Sequence, residues 1–76
     1  MLKVILPELG EGIQKATVAC WHVKAGTRVK EGDDVVEVVT DKATFNVPSP
    51  MEGVIKEIFV QEGQEAPIGS TLAVIK

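Results

Sequence analysis

The sequence predicts an all-β domain, and three observations carry that reading. Short runs rich in valine and isoleucine recur at strand length, turn residues separate them, and no segment places apolar residues at helical spacing. The chain also repeats itself. A shift of 37 residues aligns Val18 with Ile55, Trp21 with Ile58, Val23 with Val60, Gly26 with Gly63, Gly32 with Gly69, Val35 with Leu72 and Val38 with Ile75, without a gap. Matching glycines matter because a turn that needs positive φ admits glycine without steric cost. Two alike halves of about four short strands each are expected.

Taken in order, residues 2–6 read as a strand ended by Pro7. The stretch Glu8-Leu9-Gly10-Glu11-Gly12-Ile13-Gln14-Lys15, with two glycines and mixed polarity, reads as a surface loop. Residues 16–24 resume a strand, and Thr27–Lys30 leaves room only for a very short one between the turns at Gly26 and Gly32. Apolar positions fall at 18, 21 and 23 and again at 55, 58 and 60. Strict alternation would space them by two, so each half is expected to hold a β-bulge or irregular turn of its strand.

The runs 35–39 and 44–48 are strand-like and so close that they need a hairpin, with Asp41-Lys42 at its centre. Asp tolerates turn geometries and can bond its own local backbone. Lys42 is then expected at the tip, pointing into water. With Glu37 and Asn46 facing solvent, alternation sends Val36, Val38, Phe45 and Val47 inward beneath it.

Toward the amino terminus the repeat needs an insertion. Aligning Leu6-Pro7 with Val47-Pro48 and Ala16 with Gly53 gives the first half four more residues, so loop 8–15 belongs to one half alone. If a two-fold axis relates the halves, the Lys42 turn corresponds to the place where the chain ends meet. The lysine and the termini then lie at opposite ends, and the first strand carries loop 8–15 toward the lysine. That makes residues 8–15 a candidate recognition surface.

Length and composition bound the function. A chain of 76 residues makes a single domain spanning 1–76 with an economical core and no deep cleft. The net charge of −3, without a basic run, disfavours nucleic acid. No apolar run approaches the ~20 residues of a membrane span, and with Met1 leading directly into a strand-like run no signal peptide is expected. One cysteine excludes an internal disulfide and any multi-cysteine metal site.

Catalytic residues are not expected. His22, the only histidine, lacks a nucleophile or base partner in the pattern and reads as a strand side chain. Cys20 reads as a small, partly buried residue rather than a reactive thiol. Gly10-Glu11-Gly12 lacks the third glycine and helix of a phosphate loop. Asp33 and Asp34 sit in a turn, with solvent as the default partner. A hairpin lysine is most often a solvated charge; Lys42 stands apart because it lies at the junction of the repeat in a chain with no other site.

Its neighbours then matter. Leu6-Pro7-Glu8-Leu9-Gly10-Glu11-Gly12-Ile13, Asp41-Lys42-Ala43, Val47-Pro48-Ser49-Pro50 and the turn from Gly63 to Leu72 together resemble the lipoyl domain of 2-oxo-acid dehydrogenase complexes, over the whole chain. Biotinyl domains share that fold but flank their lysine with methionines, where Asp41 and Ala43 stand here. The resemblance implies a flattened barrel or sandwich of two four-stranded antiparallel sheets with internal quasi-two-fold symmetry. It implies (R)-lipoate joined by an amide to Lys42, with Asp41 and Ala43 as motif flanks.

It further implies a non-catalytic swinging-arm acyl carrier from a dihydrolipoamide acyltransferase. Its partners would be a thiamine-diphosphate 2-oxo-acid dehydrogenase, dihydrolipoyl dehydrogenase, a lipoate-attaching enzyme and the acyltransferase core. The Asp-Lys-Ala-Thr and Val-Pro-Ser-Pro segments look more like pyruvate-complex domains, with branched-chain and 2-oxoglutarate complexes as alternatives. The isolated domain is expected to be monomeric, the N-terminal part of a longer chain, and cytoplasmic in a bacterium or in the matrix of a mitochondrion. The competing readings are a biotinyl domain and a plain β-sandwich interaction domain with an unmodified lysine.

Overall fold

Alternation becomes eight strands in the computed structural model, which describes residues 2–76. They are β1 (Leu2–Ile5), β2 (Lys15–Trp21), β3 (Arg28–Val29), β4 (Asp34–Val39), β5 (Thr44–Pro48), β6 (Gly53–Ile58), β7 (Glu65–Pro67) and β8 (Thr71–Ile75). All pairings are antiparallel, in two four-stranded sheets ordered β1-β8-β6-β3 and β5-β4-β2-β7. The second strand is shorter than its apolar pattern extends, ending at Trp21 rather than residue 24, although the His22 N–H still donates to the Val35 carbonyl at 2.9 Å.

The repeat is real at the level of single hydrogen bonds. Replacing each strand by its counterpart, β1 by β5, β8 by β4, β6 by β2 and β3 by β7, converts one sheet order into the other. The expected bulges are present and equivalent: register slips between Val18 and Cys20 against β4, and between Ile55 and Glu57 against β8. Gly26 N–H donates to the Ile55 carbonyl at 2.7 Å, and Gly63 N–H to the Val18 carbonyl at 2.8 Å. Both glycines hold positive φ, 95° and 88°, which an L side chain would strain.

A second pair of bulges lies at Val35, between Asp34 and Val36, and opposite the step from Val4 to Ile5, where Leu72 is skipped. Because an extra residue breaks the alternation, Val35 and Val36 are both buried, as are Leu72 and Ala73. Most of the core consists of matched residues, Val4 with Val47, Val18 with Ile55, Val29 with Ala66, Val35 with Leu72, Val36 with Ala73 and Val38 with Ile75, and Leu6 and Ala16 complete it without an apolar counterpart. Phe45 is half-buried against it, and Asn46 is exposed, as alternation requires.

One alignment needs correction. Val4 pairs with Ala73 as Val47 pairs with Val36, and Ile5 with Thr71 as Pro48 with Asp34. Leu6 is accordingly equivalent to Ser49, each N–H donating to the carbonyl of a matched residue, Ser70 at 2.9 Å and Asp33 at 2.7 Å. Pro7 thus matches Pro50 rather than Pro48, and the first half carries six extra residues rather than four. A slip of two residues keeps every side chain on its face, so the apolar pattern alone is blind to it. Ser49 is buried where the other half has Leu6, and its hydroxyl is satisfied by donating to the Met51 carbonyl at 2.6 Å.

The trace also places the chain ends. Leu2 pairs with Ile75, and β1 runs from there to Ile5, with Leu6 N–H still bonded to the Ser70 carbonyl. The following loop returns at Gln14, whose carbonyl accepts from Ile68 N–H at 2.9 Å, and Lys15 pairs with Pro67. Two residues later Thr17 lies opposite Val39, the last residue before the hairpin turn. Tip and termini therefore occupy opposite ends of the strands, and the loop shares the end with the tip.

Candidate functional site

Thr40, Asp41, Lys42 and Ala43 form the turn between β4 and β5, whose last pair is Val39 with Thr44. Thr40 N–H donates to the Ala43 carbonyl at 2.9 Å, closing the turn on one side. On the other side the Thr40 hydroxyl replaces the backbone. Its Oγ1 accepts from Lys42 N–H and from Ala43 N–H, each at 3.2 Å, and donates to the Ala43 carbonyl at 3.1 Å. The sequence reading gives local backbone bonding to Asp41; the structure gives it to Thr40. The signal was the threonine one residue upstream, whose hydroxyl reaches backbone groups two and three residues on.

Lys42 stands exposed at the tip, as do Asp41 and Ala43. Among the described residues its amine has no hydrogen-bond or ion-pair partner; the ion pairs there join Lys15 to Glu65 and Arg28 to Glu52. The amine is thus free to react, and a long group joined to it would clear the fold. A covalently attached carboxylic acid fits this position.

An open groove of about 400 Å³ runs beside the turn, lined by Gly12, Ile13, Gln14, Lys15 and Thr17 on one side and Val39, Thr40, Asp41 and Lys42 on another. The inserted loop is thereby brought next to the lysine. Leu9 packs on the core and Ile13 is half-buried, its N–H donating to the Gly10 carbonyl at 3.2 Å. Glu8, Gly10, Glu11, Gly12 and Gln14 are exposed. Lys15 leaves the loop: it is the first residue of β2, and its ammonium lies 3.2 Å from Glu65. Glu65 also lines the groove, a residue the sequence pattern did not single out.

The other polar residues singled out in the sequence, His22, Asp33 and Cys20, do not line the groove. His22 is exposed, its Nε2 2.9 Å from Asn46 Oδ1. Asp33 Oδ2 accepts from Lys30 N–H at 2.9 Å and so caps its own turn instead of meeting only solvent. Cys20 is exposed rather than partly buried, because the bulge turns it outward after Val18. Desolvation, then the Glu62 carboxylate and its hydrogen bond, then Glu37, hold its thiol above the ordinary value. Such a thiol is a poorer nucleophile near neutrality.

Comparison with known proteins follows the same line. A family model described as "Biotin-requiring enzyme" matches residues 2–75. The dihydrolipoyllysine-residue acetyltransferase component of the pyruvate dehydrogenase complex of Staphylococcus aureus (strain Mu50) is 40% identical over 70 residues, 92% of this chain and 16% of that protein. The corresponding component from Staphylococcus epidermidis (strain RP62A) is 39% identical over the same lengths. The chain thus spans about a sixth of these relatives. The solution structure of the lipoyl domain of the 2-oxoglutarate dehydrogenase complex from Azotobacter vinelandii superposes with a TM-score of 0.79 at 34% identity, covering 100% of this chain and 96% of that one. The chain belongs to the biotin and lipoyl carrier family, as a lipoyl domain of the kind that serves 2-oxo-acid dehydrogenase complexes.

Proposed function

We propose that Lys42 carries lipoate in amide linkage and that the domain is the swinging-arm acyl carrier of a pyruvate dehydrogenase complex. The observation that carries this reading is the amine, exposed at the extremity of a hairpin and without a hydrogen-bond or ion-pair partner among the described residues. Attachment would form a bond between Nζ and the carboxyl carbon of activated lipoate, expel the activating group and remove the lysine's charge. When bound, the dithiolane supplies reductive acylation, transfer of the acyl group to coenzyme A, and reoxidation.

The chain's own residues do the rest. The hairpin holds the attachment point away from the body, so a tethered intermediate visits successive active sites at high effective concentration. Residues 12–15 line the groove beside the lysine, and the stretch 8–15 to which they belong is the surface on which a thiamine-diphosphate 2-oxo-acid dehydrogenase would recognise its own carrier. Dihydrolipoyl dehydrogenase, a lipoate-attaching enzyme and the acyltransferase core complete the set of partners, in a bacterial cytoplasm or a mitochondrial matrix. A pyruvate complex is favoured by the relatives from Staphylococcus.

The test is intact and peptide mass after co-expression with a lipoate ligase and lipoate. One lipoyl group on Lys42, and none on a folded Lys42→Arg variant, is expected, because arginine keeps the charge but not the acylable amine. An unmodified Lys42, or biotin in its place, would reject the reading.

A further inference from the structure

We propose that Thr40 is a positioning residue for Lys42, its hydroxyl setting the backbone from which the amine is presented for lipoate attachment. This rests on the loading of Lys42 proposed above. Two-residue hairpin turns use glycine or asparagine at positive φ to match the twist of their strands. The connection between Val39 and Thr44 is four residues long, holds neither glycine nor asparagine, and no non-glycine residue among those described has positive φ. Across it the backbone makes the bond from Thr40 N–H to the Ala43 carbonyl, and the return tie comes from a side chain.

The Thr40 hydroxyl supplies it. A hydroxyl has one proton to donate and two lone pairs to accept with. Here all three are used inside the turn, on Lys42 N–H, Ala43 N–H and the Ala43 carbonyl. Two of the three contacts fall on the residue after the lysine and one on the lysine itself, so the backbone on both sides of its Cα is held. Asp41, on the other flank, is exposed and makes no side-chain bond within the turn. Thr40 is half-buried and borders the groove, so it is anchored while its neighbours project. Fixing the lysine's backbone limits the directions open to its flexible stem, and orientation of a reacting group is a large lever on rate.

The experiment compares the wild-type domain with Thr40→Val, which keeps shape and removes the hydroxyl, and Thr40→Ser, which keeps the hydroxyl. Amide exchange is read by NMR on unloaded protein, and attachment kinetics are read with a lipoate ligase, lipoate and ATP. Thr40→Val is expected to speed exchange at Lys42 and Ala43 by roughly five- to tenfold, with exchange in β4 and β6 unchanged. It should lower kcat/KM for attachment by roughly ten- to a hundredfold, and Thr40→Ser should restore both to near the wild-type values. Unchanged exchange at Lys42 and Ala43 overturns the tie. Faster exchange with wild-type kcat/KM, or a serine variant no better than valine, overturns its role in presentation. Failure of wild-type protein to load would instead count against the lipoyl reading itself, and the exchange data would still decide the tie.

Discussion

A Cβ placed on Gly53 would stand 2.5 Å from Ile75 Cγ2 and 2.8 Å from the Lys76 carbonyl oxygen. The strand β6 begins against the end of β8 with no room for a side chain, whereas the matched residue in the other half, Ala16, has one and is buried. Gly53→Ala should therefore destabilise by about 1–3 kcal/mol, since backbone must shift to admit the methyl. Denaturant unfolding measures it. A value within experimental error of zero would mean that this end of β8 moves aside freely.

Trp21 ties the two halves together through its indole. Nε1–H donates to the Val60 carbonyl at 2.8 Å, and the Trp21 backbone N–H donates to Glu62 Oε2 at 2.9 Å. Trp21→Phe keeps most of the apolar contact and strands the carbonyl, so a loss of about 1–2 kcal/mol is expected in chemical denaturation.

Core truncation should be felt strongly in so small a domain. Ile55 is fully buried in the same core as its repeat counterpart Val18, and Ile55→Ala should cost about 2–5 kcal/mol. At roughly 4–8 °C per kcal/mol for a domain of this size, the Tm falls by about 8 °C or more in calorimetry. Lys42→Ala, by contrast, removes an exposed side chain whose amine has no hydrogen-bond or ion-pair partner among the described residues, and should stay within about 0.5 kcal/mol of wild type.

Cys20 gives a pH-dependent readout. A raised thiol pKa means less thiolate at any given pH, so alkylation by iodoacetamide should titrate with a midpoint above that of an unstructured cysteine peptide. Glu62→Gln keeps a hydrogen-bond acceptor for Trp21 but removes the negative charge, and should bring the midpoint down. A wild-type midpoint at or below the peptide's would contradict the assigned causes.

Much of this was legible in the letters, for identifiable reasons. The bulges after Val18 and Ile55 could be foreseen because a spacing of three inside an alternating run leaves one residue over. The second pair, at Val35 and Leu72, left a fainter mark: two adjacent apolar residues, both buried, which also suits an ordinary valine-rich strand. The equivalence of Leu6 with Ser49 was invisible because burial of a serine runs against composition, and only its bond to Met51 explains it. At the site, the exposed Lys42 follows from the hairpin between two close strand-like runs, and the inserted loop beside it follows from the repeat. The tie by Thr40 does not, since aspartate is the commoner turn-bonding residue and only hydrogen-bond geometry separates the two.

Each sheet draws two strands from β1–β4 and two from β5–β8, so neither half of the sequence owns a complete layer. The glycine turns at 26 and 63 each close on a strand of the opposite half. Such interleaving leaves no autonomous subunit to survive partial melting: the duplicated segments must order in concert, and a fragment cut at the Lys42 turn would remain a coil until its complement arrived. The scaffold that presents Lys42 is therefore either whole or absent.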